Sequence, residues 1–183
     1  PNGKWMQYAY RAINEIDPHV LKMNALNLVY EGMFSGYNYV CELRKKYDCN
    51  MPWILLFDPT SACNLHCKGC WAAEYGNRLN LSFEELDSIV TQGKELGTYM
   101  YIFTGGEPLV RKKDVIALCE KHSDCEFLSF TNGTLIDEEF CQEMLRVKNF
   151  VPAFSLEGFE AANDSRRGEG AYQKVQKAMK LLK

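Results

Sequence analysis

Short apolar runs alternate with amphipathic segments over most of this chain. Four largely apolar runs lie in its second part, at 53–57, 99–103, 126–130 and 150–156. The first of these runs, 53–57, suits a strand that is buried on both faces of a parallel sheet, and all four are predicted strands. Between and after them, apolar residues recur at helical spacing, so the pattern predicts four β-α units in succession.

Capping residues and prolines set the boundaries of these elements. Ser82 and Glu85 match a capping box at the start of the first helix of the repeat, and Asp137 is the expected N-cap of the third. Proline cannot donate to a sheet ladder. We therefore expect Pro59 to end the first strand, and Pro152 to keep the first half of the fourth strand out of regular pairing.

The order of the elements predicts an α/β fold. Consecutive β-α units require a parallel sheet with right-handed crossovers, and four strands are too few to close a barrel. Residues 1–50 show helical spacing and no strand, which indicates an N-terminal helical extension before a core domain at 51–183. The extension is expected to pack on the sheet, or else to contact a partner or a C-terminal part. The chain starts without methionine and stops inside a helical pattern, so we expect a fragment of a longer polypeptide.

Composition and charge narrow the classes of protein. The chain has 183 residues, of which 46% are hydrophobic and 25% charged, as in ordinary globular proteins. The net charge of −3, without blocks of like charge, does not indicate a nucleic acid or an anionic membrane as partner. No apolar run approaches the roughly 20 residues that span a bilayer, and the start lacks a signal-peptide pattern. We therefore expect a cytoplasmic protein.

Three cysteines within eight residues carry the clearest chemical signal. Cys63, Cys67 and Cys70 follow the first predicted strand with the spacing C-x3-C-x2-C. A structural zinc site takes four protein ligands, and a [4Fe–4S] cluster is normally held by four cysteines. Three thiolates leave one metal position open, where another molecule can bind. The spacing thus predicts a metal cluster with one open iron in a reducing compartment, and the polar residues between the cysteines disfavour a simple core segment.

Every predicted strand ends in a loop of small or polar residues. Parallel strands place such loops at one end of the sheet, where ligands bind in α/β folds. After the cysteine loop come Gly105-Gly106-Glu107-Pro108, then Asn132-Gly133, then Ser155-Leu156-Glu157-Gly158. Adjacent glycines allow close approach of the backbone to a ligand. A Gly-Gly-Glu-Pro segment alone would fit a plain turn, but together with the cysteines it favours one shared site.

These motifs resemble those of the radical S-adenosylmethionine (SAM) superfamily. The resemblance covers about residues 52–183, and the segment 163–168, Asn-Asp-Ser-Arg-Arg-Gly, is similar to the His-Asp-x-x-Arg-Gly segment of many members. It implies a partial parallel (β/α)6 TIM-like barrel, with about four β/α units present, that holds a [4Fe–4S] cluster. The open iron would chelate the methionine moiety of SAM. One-electron reduction would then cleave SAM to a 5′-deoxyadenosyl radical.

The resemblance also implies roles for residues in the first two loops. The cluster ligands would be Cys63, Cys67 and Cys70. The adjoining segment would receive the SAM amino group, through Gly105, Gly106 and Glu107.

Residues in the later loops match further cofactor contacts. Asn132 and Ser155 are candidates for hydrogen bonds to the methionine and ribose parts of SAM. Arg167 suits the SAM carboxylate, because guanidinium is a planar bidentate donor, and its neighbour Arg166 is the alternative. The family's aromatic residue before the third cysteine is a glycine here. Trp71 is therefore the candidate for stacking on adenine, with a core tryptophan as the other interpretation.

Two classes of function follow. The leading hypothesis is a radical SAM enzyme with an unknown substrate and a low-potential electron donor such as flavodoxin or ferredoxin. The alternative is a non-catalytic iron–sulfur or zinc-binding module with a fourth protein ligand. His66 lies inside the cysteine loop, but a loop hydrogen bond or solvent exposure is expected for it. The other cysteines lack ligand spacing and are expected to be free or buried thiols: Cys41, Cys49, Cys119, Cys125 and Cys141.

Overall fold

A four-stranded parallel sheet forms the centre of the molecule. The computed structural model describes residues 3–76 and 78–183. The N-terminal helices are α1 (Lys4–Glu15), α2 (Pro18–Asn24), a π-helical segment (Ala25–Ser35) and α3 (Gly36–Tyr47). The strands are β1 (Ile54–Thr60), β2 (Met100–Gly105), β3 (Glu126–Thr131) and β4 (Phe150–Phe154), in the order β1-β2-β3-β4. The remaining α-helices are α4 (Phe83–Glu95), α5 (Lys112–Lys121), α6 (Glu138–Val147), α7 (Glu160–Arg167) and α8 (Ala171–Leu181).

The α/β class and the succession of β-α units are confirmed, as are the two predicted helix caps. The Ser82 hydroxyl accepts from the Glu85 amide at 3.1 Å, while the Glu85 carboxylate accepts from the Ser82 amide at 2.6 Å. The Asp137 carboxylate accepts from the Phe140 amide at 2.9 Å and begins α6. Helix α7 was not predicted. It is short and highly polar, so it lacks the apolar spacing that indicates a helix.

The two predictions that rested on prolines are wrong. Strand β1 continues through Pro59 to Thr60, with a shift in its pairing to β2 after Phe57. Strand β4 pairs regularly with β3 from its first residue, and Pro152 stands opposite Ser129. The Ser155 amide donates to β3, so the amide nitrogen three positions earlier faces away from β3. Because β4 is an edge strand, Pro152 removes no ladder hydrogen bond.

Aromatic side chains dominate the core on the helix-covered face of the sheet. The Phe127 ring stacks on both Tyr101 and Phe103, with centroid distances of 5.5 Å each. On the opposite face Leu56 and Phe130 are about half exposed. Among the described residues the sheet is therefore covered mainly on one face. The prediction of burial on both faces is wrong, because the α-helices that follow the strands pack on the same side.

Helix α2 and the π-helical segment after it pack at the end of the sheet where the strands begin. The buried Asn27 side chain donates to the carbonyls of Ser123 and Cys125 at 3.0 and 2.9 Å, in the turn before β3. The Asn24 side chain donates to the Lys148 carbonyl at 3.0 Å, before β4. These two elements therefore lie at the opposite end of the sheet from the loops that follow the strands. Within residues 3–76 and 78–183, no helix has the length and apolar character needed to cross a membrane.

Glu126 is a buried acid at the start of β3. It is only 3% exposed, and neither carboxylate oxygen has a hydrogen-bond partner among the described residues. Burial raises the pKa of Glu126 from its ordinary 4.5 to about 8, because the charged form is poorly solvated there. The folded protein therefore keeps this carboxyl protonated at neutral pH.

We expect the free energy of unfolding to fall as the pH rises from about 5 to about 8. The folded protein retains a proton on Glu126 in this range, whereas the unfolded chain has released it, and each pH unit costs about 1.4 kcal/mol. Urea unfolding of the wild-type chain and of Glu126→Gln at several pH values measures this contribution. The variant should show a shallower fall over this range, and identical slopes would contradict the assignment.

Candidate functional site

The cysteine loop leaves the carboxyl end of β1 and packs directly against the end of β2. The Gly106 amide donates to the Thr60 carbonyl at 3.0 Å, and the Glu107 amide donates to the Ala62 carbonyl at 2.8 Å. A Cβ atom on Gly106 would lie 2.2 Å from the Ala62 oxygen. Gly105 has a φ of +101°, which favours glycine. The paired glycines thus allow the two loops to touch, a use of close approach that the sequence did not indicate.

The Glu107 carboxylate connects the ends of β2 and β3. It is 1% exposed. One of its oxygens accepts from the Leu109 amide at 3.1 Å and from the Thr131 hydroxyl at 2.6 Å, and the other accepts from the Asn132 amide at 2.7 Å. Burial raises the pKa of Glu107, while these hydrogen bonds and the charge of Arg167 lower it. The side chain is therefore fully engaged within the protein.

Asn132 joins the end of β3 to the first half of the cysteine loop. Its amide nitrogen donates to the Asn64 side-chain oxygen at 2.8 Å. Its own oxygen accepts from the amide and hydroxyl of Thr134 at 2.9 and 2.7 Å, and the Asn64 amide donates to that hydroxyl at 2.8 Å. Sequence reasoning missed Asn64 and Thr134. Both are polar neighbours of predicted loop residues, but nothing in the sequence shows that they meet.

The second half of the loop is a tight turn. The Cys70 amide donates to the Cys67 carbonyl at 3.3 Å, and Gly69 has a φ of +68°. A positive φ at the third position of a turn is typical of type II and favours glycine. This accounts for a glycine before the third cysteine. The Lys68 amide donates to the Arg166 carbonyl at 2.8 Å, which links the turn to the end of α7.

The three cysteines lie at one end of the sheet and are partly buried. Burial raises the pKa of the Cys63 thiol, with a smaller contribution from Glu107, and the Leu65 amide opposes it. Burial also raises the pKa of the Cys67 thiol, while the charge of Arg167 lowers it. The thiols are close enough to influence one another. Within the described ranges, no three His, Cys, Asp or Glu side chains lie close enough together to hold a single metal ion.

Two arginines share one carboxylate beside the loop. Glu157 receives Arg166 Nη1 at 2.7 Å and Arg167 Nη2 at 2.5 Å on the same oxygen. These two partners, Arg167 first, lower the pKa of Glu157. The side chain of Arg166 is 45% exposed, whereas that of Arg167 is 15% exposed. The Nε of Arg167 is buried and has no partner in the described part of the chain.

Helix α7 contains residues 163–167 of the predicted motif, and Gly168 follows it directly. Hydrogen bonds of Asn163 and Asp164 hold this helix against its neighbours. The buried Asn163 side chain accepts from the Glu157 amide at 3.3 Å. The Asp164 carboxylate accepts from the amides of Gly170 and Tyr172 at 2.7 and 2.8 Å, and so caps α8. The asparagine that replaces the family's histidine is thus a structural contact between β4 and α7.

The remaining predicted residues differ in their positions. The Trp71 side chain is 57% exposed and meets Tyr75 edge-to-face at 5.9 Å, so the core-tryptophan interpretation is wrong. The Ser155 amide donates to the Thr131 carbonyl at 2.9 Å and extends the β3–β4 ladder. His66 is exposed, as expected. Trp71 therefore lies on the surface, directly after the third cysteine.

Comparisons with known proteins agree with this architecture. The family model of the radical SAM superfamily matches residues 57–183. An uncharacterized protein of Archaeoglobus fulgidus is 32% identical over 146 residues, which is 78% of this chain and 33% of that protein. The Fe-coproporphyrin III synthase of Methanosarcina barkeri is 32% identical over 125 residues, covering 65% of this chain and 31% of the relative. The chain thus spans about a third of the length of these relatives.

A solved structure shares the same fold. Native anSMEcpe with bound AdoMet and a Cp18Cys peptide is similar, with a TM-score of 0.58 and 28% sequence identity. The match covers 70% of this chain and 39% of that protein. The parallel sheet corresponds to part of the TIM-like barrel predicted from the sequence. With the family model matching more than half of its residues, the chain belongs to the radical SAM superfamily.

Proposed function

We propose that residues 51–183 form the cofactor-binding core of an enzyme that cleaves SAM reductively and uses the resulting radical to modify a substrate. Residues 1–50 form a helical extension to this core. The observation that carries the proposal is the position of the C-x3-C-x2-C loop. It contacts the ends of β2 and β3 and the end of helix α7, so three other predicted cofactor-binding segments adjoin it.

The donor set fits a [4Fe–4S] cluster with three protein ligands. Cys63, Cys67 and Cys70 offer three thiols from one short loop, and each of them is partly buried. When bound, such a cluster supplies the electron that splits SAM into methionine and a 5′-deoxyadenosyl radical. The protein's part is to hold the three sulfurs at the carboxyl ends of the strands. Its neighbouring amides and side chains surround the sulfurs and help set the potential.

Arg167 fits the SAM carboxylate better than Arg166 does. Its side chain is the more buried of the two, and its Nε is a buried donor that lacks an acceptor. A buried unpaired donor costs free energy, which a ligand carboxylate would recover through a charge-assisted hydrogen bond. Glu157 already holds Arg167 Nη2 and so orients the guanidinium.

The other residues predicted to contact SAM differ in whether their polar groups are free to do so. The Glu107 carboxylate and the Asn132 amide are occupied inside the protein, so they support the loop. The carbonyls of Gly105 and Gly106 are the proposed acceptors for the SAM amino group. Ser155 and Trp71 remain proposed neighbours of the ribose and the adenine, respectively.

The relatives and structural neighbours act on or bind different kinds of molecule. One relative is named an Fe-coproporphyrin III synthase, and a structural neighbour holds a peptide. A porphyrin and a peptide are chemically different molecules, so the two names favour no single class of substrate. A low-potential flavodoxin or ferredoxin is the proposed donor, and the cysteine usage favours a reducing cytoplasmic compartment.

Replacing any one of Cys63, Cys67 or Cys70 by alanine should remove the SAM-responsive cluster. Each substitution leaves two thiolates, which are too few for this site. Iron and acid-labile sulfide after anaerobic reconstitution, and EPR of the reduced protein with and without SAM, measure the effect. The exposed Cys49→Ala is the matched control and should behave as wild type.

The same spectra separate the two function classes. A reduced cluster signal that changes on adding SAM supports the proposed enzyme. Zinc in place of iron, or a signal indifferent to SAM in the full-length protein, supports the metal-binding module. Undiminished 5′-deoxyadenosine from the alanine variants would refute the cysteine assignment.

Arg167→Lys should weaken SAM binding about tenfold, because ammonium cannot keep the Glu157 contact and a bidentate contact at once. Isothermal titration of the reconstituted, unreduced protein with SAM measures the affinity. Arg146→Lys provides a control, since that arginine pairs with Glu120 and Glu143 on the outer helices. Equal affinities of the two variants would contradict the role of Arg167.

Glu107→Gln should lower the free energy of unfolding by about 1–3 kcal/mol. The amide supplies one acceptor oxygen where the carboxylate supplies two, so at least one buried donor loses its partner. Urea unfolding of the metal-free protein measures the change, with the exposed Glu95→Gln as control. A variant as stable as the control would show that the carboxylate does not connect the two loops.

A further inference from the structure

The turn between the second and third cysteines is clamped by Arg166. The Lys68 amide donates to the Arg166 carbonyl at 2.8 Å, and Arg166 Nε donates back to the Lys68 carbonyl at 3.3 Å. The two residues are 98 positions apart in the chain. Both polar groups of the Lys68 backbone are therefore held by one residue at the end of α7.

The Arg166 guanidinium is also held by an ion pair with Glu157. Its Nη1 lies 2.7 Å from a carboxylate oxygen of Glu157, after β4. The Glu157 amide donates to the buried Asn163 side chain at 3.3 Å. The guanidinium thus bridges the cysteine loop and the segment after β4, and its fork geometry lets different nitrogens serve the two acceptors.

We propose that Arg166 is a positioning residue, which keeps the Cys67–Cys70 turn in shape before the cluster binds. This inference rests on the proposed function, because it concerns the presentation of two of the proposed ligands. It separates the two arginines: Arg167 is the one available to a ligand carboxylate, and Arg166 serves the loop.

The physical reason is pre-organisation. A four-residue turn with a glycine at one central position loses much conformational entropy when it becomes ordered. A clamp present in the metal-free protein meets that cost during folding, so less of the cluster's binding free energy goes into ordering the loop. The Lys68 side chain stays exposed, so the clamp acts through backbone atoms and tolerates a change of that side chain.

The first test measures the turn without metal. In the metal-free full chain, Arg166→Met removes the charge-assisted hydrogen bond from Arg166 Nε to the Lys68 carbonyl. The turn is then held less firmly, so the Lys68 and Cys70 amides should exchange with solvent about tenfold faster. Hydrogen exchange with fragmentation mass spectrometry resolves these amides. Arg146→Met is the matched control: its side chain is 44% exposed, close to the 45% of Arg166, and it too forms ion pairs with carboxylates, those of Glu120 and Glu143.

The conservative variant tests the fork geometry. Arg166→Lys keeps the charge but cannot hold the Lys68 carbonyl and Glu157 as the guanidinium does, so its exchange should fall between wild type and Arg166→Met. Urea midpoints of both variants should match that of Arg146→Met. Exchange at Lys68 and Cys70 that stays at the wild-type rate in Arg166→Met would overturn the proposal.

The second test concerns the loaded protein. Arg166→Met should bind iron more slowly during reconstitution, while retaining a cluster signal that still responds to SAM. Wild-type reconstitution kinetics despite faster exchange would also overturn the proposal, because the clamp would then not serve the ligands. If the cysteine variants show no role in iron binding, the proposed function fails, yet the exchange result still shows whether Arg166 orders the turn.

Discussion

The buried Glu107 carboxylate is the contact on which the site's arrangement depends. It takes donors from the segment after β2 and from both Thr131 and Asn132 at the end of β3. A carboxylate removed from water needs such donors, since burial without them is costly. The Asn132 side chain in turn donates a hydrogen bond to Asn64 and so fixes the position of the cysteine loop. One acid thus sets the relative positions of three neighbouring loops.

Close backbone approach supplies the second constraint. The end of β2 lies so near the chain that leaves β1 that a side chain on Gly106 would collide with the Ala62 carbonyl. Two amides of this segment donate to Thr60 and Ala62, which fixes where the cysteine loop begins. The Gly-Gly-Glu segment therefore has a structural use in this chain in addition to its proposed contacts with SAM.

The two ends of the sheet have different functions in the architecture. At the end where the strands begin, Asn27 and Asn149 donate to turn carbonyls, including that of Cys125, and the π-helical segment packs there. At the other end, polar side chains such as those of Glu107 and Asn132 join the loops that follow the strands. The buried Nε of Arg167 has no hydrogen-bond partner among the described residues. A buried guanidinium nitrogen without an acceptor suits an anionic group of a ligand, and the three cysteines lie at the same end of the sheet, so this end is the one suited to the proposed cofactor.

The sequence by itself determined the fold class, the repeated β-α units, both helix caps and the loop that carries the cysteines. These rest on local signals: apolar periodicity, capping residues and ligand spacing. It failed at Pro59 and Pro152, because the cost of a proline depends on whether its missing donor would face a neighbouring strand. The family resemblance added the roles of residues in the later loops.

Only the tertiary structure decided how these residues are used. Asn132 and Glu107 turned out to be occupied inside the protein, and Trp71 lies exposed. The two adjacent arginines share Glu157, but only Arg166 also holds the Lys68 carbonyl. Each of these outcomes depends on contacts between segments far apart in the chain, such as Lys68 with Arg166. The sequence specifies which donors and acceptors exist, but the packing of the loops at one end of the sheet decides which of them meet.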